Sequence, residues 1–195
     1  MIKTILHTSA TVLLFLFSLA SYAENTSFKT THFSGSGNCT SCHDGLTDTA
    51  GDDVSIVKDW GASMMANATK DPFWQAKVAT ELERNPNLSS VINDKCTQCH
   101  APMANFEITR VQNSEVTLFG AGGILDPGHS LHDAAMNAVS CTACHQIEDD
   151  ATLGTLEGFS GNYKINASKT LYGQYSNITG QPMITNTGYT PAYSA

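Results

Sequence analysis

Cys39-Thr-Ser-Cys42-His43 is one of three stretches of this chain that share a single pattern. The pattern returns as Cys96-Thr-Gln-Cys99-His100 and as Cys141-Thr-Ala-Cys144-His145. Together the three motifs contain all 6 cysteines, so no thiol is left over. Nothing longer than the motif recurs around it, and the chain is therefore not an array of equal repeats.

The spacing within each motif suits covalent attachment of a haem. Two thiols separated by two residues reach the two vinyl groups on one edge of a porphyrin and become thioethers. The histidine that follows is carried under the ring, where its imidazole reaches the iron as the proximal ligand. The motifs therefore predict three covalently attached haem c groups with their iron. The attachment residues are Cys39, Cys42, Cys96, Cys99, Cys141 and Cys144, and the proximal ligands are His43, His100 and His145.

Paired cysteines have two other common uses. In an oxidising compartment an even cysteine count is typical of disulfides, and three bridges would use all of them. The identical spacing and the histidine after each pair count against bridges. Zinc sites gather four ligands in one place, which motifs so far apart in the chain do not naturally provide. The sequence therefore favours haem attachment.

The distal face of each iron needs a ligand from elsewhere in the chain. Once His7 and the motif histidines are set aside, His32, His129 and His132 remain, and each could also be an ordinary surface histidine. His129 and His132 lie three residues apart, so we expect only one of them to bind iron. We favour His132, because it lies deeper in the helix expected before the third motif. Met65 is a further candidate, although a methionine on a helix is more often core filler.

Residues 1–23 have the build of a secretory signal. Lys3 lies in a short n-region, an apolar run extends from Thr11 to Ala20, and Ser21-Tyr22-Ala23 offers a small-residue cleavage site. The run is shorter than the roughly 20 residues that span a bilayer, which makes a membrane anchor the weaker alternative. We therefore expect export without a transmembrane anchor, to the periplasm or outside the cell.

The charge balance indicates the kind of partner. The chain has 18 acidic and 10 basic residues, for a net charge of -8. Scattered lysine and arginine do not suit phosphate binding, so nucleic acid is not expected. An acidic surface instead suits redox protein partners with a basic patch, among them a membrane-bound oxidoreductase or a larger haem-protein assembly.

The local patterns predict a mainly α fold with extensive irregular loop, organised around the haems. Helices are expected over Asp59–Ala68, from Asp71-Pro72 to Pro86, and from Ser89 or Ser90 into the second motif. A further helical stretch is expected from Asp126-Pro127 through Ala138. Short strands are expected at Val116–Phe119 and at Asn162–Ile165.

The chain divides by composition. Residues 24–150 carry the motifs and form the predicted trihaem domain, whereas residues 151–195 are rich in Gly, Ser, Thr, Asn and Tyr. This tail cannot build a core of its own, so it either drapes over the last haem or begins a truncated region. Apolar side chains are few for a domain of this size, and the haems are expected to supply the missing buried surface.

Part of the chain resembles a known family. Besides the motifs, the segment Trp60-Gly-Ala-Ser63-Met64-Met65-Ala66 and the run from His132 to His145, with Val139-Ser140 before Cys141, are similar to the multihaem cytochrome c superfamily. That superfamily includes tetrahaem electron carriers and octahaem reductases. In many members Trp-x-x-Ser-x-His-Ala supplies a distal histidine, and a histidine several residues before Val-x-Cys-x-x-Cys-His supplies another.

This resemblance implies that Met65 stands where the family has a histidine and that His132 is a distal ligand. A thioether in place of an imidazole would raise the potential of that haem. The resemblance extends from Thr31 to about His145 and is poor in the tail. Because relatives often carry further motifs downstream, a truncated or short member of the family is also consistent with it.

Three functions remain open at this stage. The first is an electron carrier in which every iron has two axial ligands, and this is the function we expect, without catalytic residues. The second is a haem-dependent reductase of a nitrogen or sulfur oxyanion, which needs an open iron and cationic groups above it. The obvious candidates for such groups are Arg84, Arg110 and His129. The third is an electron-conducting subunit of a larger haem assembly.

Overall fold

The structure is a computed structural model that describes residues 26–194. The predicted signal segment, residues 1–23 with His7, lies outside the described residues. Among residues 26–194, no helix is both long and apolar enough to cross a membrane.

Short helices make up most of the regular structure, which is compatible with the mainly α class. The α-helices are α1 Thr40–His43, α2 Ile56–Gly61, α3 Met64–Asn67, α4 Pro72–Arg84, α5 Ser89–His100, α6 Pro102–Phe106, α7 His132–Met136, α8 Cys141–His145 and α9 Gln181–Thr187. Short 3-10 turns cover Ser36–Asn38 and Pro86–Leu88, and a π-helical turn covers Glu107–Val111. Strands β1 Thr170–Gly173 and β2 Thr190–Tyr193 pair in parallel, with Thr170 opposite Thr190.

Helix α4 confirms the helix predicted from Asp71-Pro72 to Pro86. The Asp71 carboxylate accepts a hydrogen bond from the backbone N–H of Phe73, and Pro72 occupies the first helical position. The helix ends at Arg84, before Pro86. Trp74 and Val78, four residues apart, form its buried face.

Helix α5 leads into the second motif as predicted. Ser89 is its first residue instead of its cap, because the preceding 3-10 turn at Pro86–Leu88 runs directly into it. The helix ends at His100, so the second motif forms its last turns. The expected helix over Asp59–Ala68 is present as two pieces, α2 and α3, separated at Ala62 and Ser63.

The region before the third motif differs from the prediction. The helix expected from Asp126 is limited to α7, and residues 120–131 form a series of turns instead. The physical reason is that the Asp126 carboxylate accepts from the backbone N–H groups of Gly122 and Gly128, which folds the chain into a turn and leaves no cap for a helix.

Neither expected strand forms a ladder. Val116 and Leu118 are buried in alternation, but the Leu118 N–H donates to the Asn93 side chain and not to a neighbouring strand. Around residues 162–165 there is only an isolated bridge between Ile147 and Ile165. The regular strands of the tail lie later, at β1 and β2.

The hydrophobic core surrounds α6, whose residues 102–105 are all buried. This helix packs against both α5 and α7. Several other members of the core are small residues: Ala101, Ala134, Ala135 and Ala143. Because Ala101 follows the second motif and Ala143 lies within the third, one core holds both motifs in place.

The tail contributes little to this core. Of residues 151–194, only Asn166 and Tyr189 are buried. This agrees with the expectation that the tail has no core of its own, and β1 instead packs against α8.

Replacing Asp71 with alanine should lower the free energy of unfolding of the holoprotein by about 1 kcal/mol, because the Phe73 N–H loses its acceptor. Asp71→Asn is the matched control, since asparagine caps helices equally well. Guanidinium unfolding followed by circular dichroism measures both variants. Wild-type stability in Asp71→Ala, or an equal loss in the two variants, would contradict the capping role.

Candidate functional site

All three motifs adopt helical structure, and this determines which side chains point together. Cys39 caps α1, Cys96 and Cys99 lie in the last turns of α5, and Cys141 begins α8. In a helix, residues three and four apart share one face. The two cysteines and the histidine of each motif, at i, i+3 and i+4, therefore project to the same side.

This shared face lies at the border of the protein core, because the first cysteine of each motif is partly buried and the second is exposed. In the second motif Thr97 and Gln98 are buried, whereas Cys99 is exposed. In the third motif Thr142 is buried and Cys144 is exposed. In the second and third motifs, the buried residues between the cysteines thus fix the motif to the protein, while the second cysteine remains exposed.

The first and third motifs lie side by side. The Cys39 and Cys141 thiols are neighbours, and each shifts the pKa of the other, upwards for Cys39 and downwards for Cys141. The Thr142 hydroxyl donates to the Ser34 carbonyl oxygen at 2.9 Å and accepts from the Ser34 N–H at 3.2 Å. The chain that precedes the first motif is therefore pinned to the middle of the third.

All six cysteines are free, so none is used in a disulfide within residues 26–194. No three His, Cys, Asp or Glu side chains of the same residues are grouped as a metal site by themselves. Haem iron does not need such a cluster, because the porphyrin supplies four ligands and the protein adds only the axial ones.

Two of the histidines predicted to be proximal ligands are oriented by backbone carbonyl groups. His100 Nδ1 lies 3.0 Å from the Ala68 carbonyl oxygen, and His145 Nδ1 lies 2.7 Å from that of Tyr172. A carbonyl oxygen can only accept, so in each ring Nδ1 carries the proton and Nε2 keeps its lone pair. Trp74 also stacks on the His100 ring at 4.3 Å and 9°. These two imidazoles therefore have the tautomer that binds iron through Nε2.

The proximal candidate of the first motif lacks such a partner. His43 is exposed at the end of α1, and its ring nitrogens make no hydrogen bond to any residue in 26–194. Its assignment therefore depends on its position after Cys42 alone.

Among the distal candidates, His132 and His129 are hydrogen-bonded in opposite ways. His132 Nδ1 lies 3.1 Å from the Ile124 carbonyl oxygen and must donate to it, which leaves Nε2 for a metal. His129 Nδ1 instead accepts the backbone N–H of Leu131 at 3.0 Å, so the proton of its neutral ring is on Nε2. The geometry therefore favours His132. The expected shared helical face does not exist, because α7 begins at His132 and His129 lies in the turn before it.

His32 faces a buried carboxylate that the sequence analysis missed. Glu107 is only 2% exposed, and its Oε1 accepts from the His32 backbone N–H at 2.7 Å and from the Thr30 hydroxyl at 2.6 Å. His32 Nδ1 lies 3.5 Å from the same oxygen, and within residues 26–194 it has no hydrogen-bond partner. The ring also meets Phe106 edge-on at 5.1 Å. In the sequence, the indication of this site is a single acidic residue between two apolar ones, Phe106 and Ile108.

Met65 lies beside the approach to the third motif. Its carbonyl oxygen accepts from the Val139 N–H at 3.2 Å, and the Trp60 indole donates to the Val139 carbonyl oxygen at 2.8 Å. The Met65 residue is 53% exposed, so its thioether is not core filler. The segment that carries the family resemblance is therefore joined to the segment that precedes Cys141.

A buried threonine, also missed from sequence, joins the second motif to the helix of His132. The Thr69 hydroxyl contacts the carbonyl oxygens of both His100 and Ala135. Because Ala68 supplies the acceptor for His100, two consecutive residues fix the end of α5 against α7.

A cleft of about 460 Å³ lies between the second and third motifs. Gln98 and Ala143 from the two motifs, Phe33, and the cations Arg110 and Lys164 are among its lining residues. Lys164 is ion-paired with Asp150. Of the three residues proposed for a reductase, only Arg110 lines this cleft; Arg84 and His129 do not.

The donor set fits covalently attached haem. Each motif offers two free thiols and one imidazole on a single face, and two of these imidazoles have Nε2 available for iron. A third imidazole with the same tautomer, His132, is outside the motifs, as a distal ligand must be.

Comparison with known proteins gives one match. Residues 38–122 match the family model of cytochrome c554 and c-prime. The matched range contains the first two motifs and Met65, and it ends before His132 and the third motif. No curated protein and no solved structure matches the chain. The match over residues 38–122 supports a cytochrome c family for this chain, and with it covalently bound haem c.

Proposed function

We propose that this chain is an exported trihaem cytochrome c that transfers electrons between redox proteins. The cytochrome c match supports the haem-based electron-transfer role. The observation that carries the finer proposal is that three separate motifs each present two free cysteines and a histidine on one helical face. In this proposal residues 1–23 direct export, residues 24–150 form the trihaem domain and residues 151–195 form its tail.

The proposed residue roles follow from the motifs and the imidazole tautomers. The six cysteines attach the haems, and His43, His100 and His145 are the proximal ligands. His32, Met65 and His132 are proposed as distal ligands, and His129 is not, because its Nδ1 accepts a backbone N–H.

When bound, the haem iron supplies one-electron exchange between its two oxidation states. The chain adjusts the reduction potential of each iron through the group that faces the Nδ1 atom of its histidine ligand. Ala68, Ile124 and Tyr172 offer neutral carbonyl oxygens, whereas the Glu107 carboxylate lies 3.5 Å from His32 Nδ1 without a hydrogen bond to it. A more strongly accepting partner makes the imidazole a better donor to iron and lowers the potential, and a thioether such as Met65 raises it.

The adjacency of two motifs supports transfer within the chain. Because the Cys39 and Cys141 thiols are neighbours, the porphyrin edges attached to them would also be close to each other. An electron carrier requires short distances between its redox groups, and it needs no substrate pocket.

The reductase alternative has weaker support. It needs several cationic or protonatable groups above one open iron. Arg110 lines the cleft between the second and third motifs, but the second cation there, Lys164, is ion-paired with Asp150. Arg84 and His129 are not part of that lining.

Electron paramagnetic resonance of the oxidised holoprotein tests the function. We expect three low-spin haems whose spectra are unchanged by nitrite or cyanide, because each iron has two protein ligands. A high-spin signal that shifts on adding either anion would contradict the carrier and favour the reductase.

Changing both Cys96 and Cys99 to serine should lower the mass of the intact holoprotein by one haem, because the second motif loses both thioethers. Ser41→Ala, within the first motif but not an attachment residue, is the matched control and should keep three haems. Intact-mass spectrometry and the haem absorbance per chain measure the count. An unchanged count in the double variant would refute attachment at this motif.

His132→Ala should convert one of the three low-spin signals to high spin, because its iron loses the distal imidazole. His129→Ala should leave the spectrum as in the wild type, because the Nε2 atom of His129 carries a proton and has no lone pair to bind iron. Paramagnetic resonance and visible spectra of both variants decide the point. A spin change in His129→Ala, or none in His132→Ala, would reverse the assignment.

A further inference from the structure

Two tyrosines of the C-terminal segment contact candidate axial ligands. The carbonyl oxygen of Tyr172, in β1, accepts the Nδ1–H of His145 at 2.7 Å. The hydroxyl of Tyr189, immediately before β2, donates to the carbonyl oxygen of His32 at 2.7 Å. Since β1 and β2 pair with each other, both contacts come from one structural unit.

The backbone of His32 is held almost entirely by distant side chains. Its N–H donates to Glu107, and its carbonyl oxygen accepts from both Tyr189 and Gln146. A carbonyl oxygen has two lone pairs, so this one is fully occupied. A surface histidine needs no such support, because water satisfies an exposed backbone. The arrangement instead fixes where the His32 ring can point.

Tyr189 is suited to this task by its burial. It is 3% exposed, and a buried phenol must find an acceptor or lose the free energy of its hydration. Burial also raises the pKa of Tyr189, so the hydroxyl keeps the proton that it donates. The contact to His32 is therefore a stable constraint and not an incidental surface bond.

The unit is anchored to the third motif by a buried asparagine. The Asn166 side chain donates to the carbonyl oxygens of Gln146 and Thr170, at 3.1 and 2.7 Å, and its backbone N–H donates to Gln146 at 3.0 Å. Gln146 directly follows His145 and is itself one of the two donors to His32. Asn166 thus joins the start of β1 to Gln146, which follows His145 in the chain and donates to His32.

We infer that residues 166–193 form a C-terminal clamp that fixes His32 and His145 relative to one another, with Tyr189 as a positioning residue for His32. The inference rests on the proposed function, because it takes both histidines as ligands of haem iron. It gives the polar tail a role in coordination that its composition does not indicate.

The test compares the holoprotein variants Tyr189→Phe and His32→Ala by paramagnetic resonance, with intact mass to count haems. We expect Tyr189→Phe to keep three haems and to shift the g-values of one low-spin signal, the same signal that His32→Ala loses. Tyr193→Phe is the matched control, since that tyrosine is exposed and its hydroxyl has no partner within residues 26–194. Gln146→Met removes the other donor to the His32 carbonyl and should shift the same signal.

The inference is overturned if Tyr189→Phe and Gln146→Met both leave that signal unchanged, if they shift a different one, or if His32→Ala loses none. Should Tyr189→Phe not retain haem, Gln146→Met alone decides. Failure of the proposed function has a separate signature, because the wild type would then lack three haems or their low-spin spectra.

Discussion

An imidazole can bind iron only through a ring nitrogen that carries no proton, and this constraint accounts for the placement of much of the described chain. Three candidate ligands have their Nδ1 proton held by a backbone carbonyl, from Ala68 at the end of α3, Ile124 in a turn and Tyr172 in β1. These elements have little else in common. Each supplies one fixed acceptor, and a backbone acceptor is preserved whatever its side chain.

The hydrogen-bond acceptors differ in strength, and this difference can give the haem irons different reduction potentials. His32 faces the Glu107 carboxylate, the His43 ring has no hydrogen-bond partner in residues 26–194, and Met65 offers a thioether in place of a ring. A carboxylate, a carbonyl and a thioether move the potential of an iron by different amounts and in different directions. The π-helical turn that begins at Glu107 places this acid in the core, where solvent screens it least.

The sequence was a good guide where local chemistry decides the structure. Asp71 and Pro72 define the start of α4 because capping involves only neighbouring residues. The same Asp-Pro pair at Asp126 misled the prediction, since nearby glycines made a turn the better use of its carboxylate. The three Cys-x-x-Cys-His motifs are visible in the sequence because each is local, whereas Glu107 and Tyr189 contact His32 across the fold, and no local pattern indicates such contacts.

The bond between Tyr189 and His32 joins residues 157 positions apart, and it gives the protein an order of assembly. Closing so long a loop costs chain entropy that earlier contacts must already have reduced. The first candidate ligand along the chain, His32, is therefore among the last residues to be fixed in position as the chain folds.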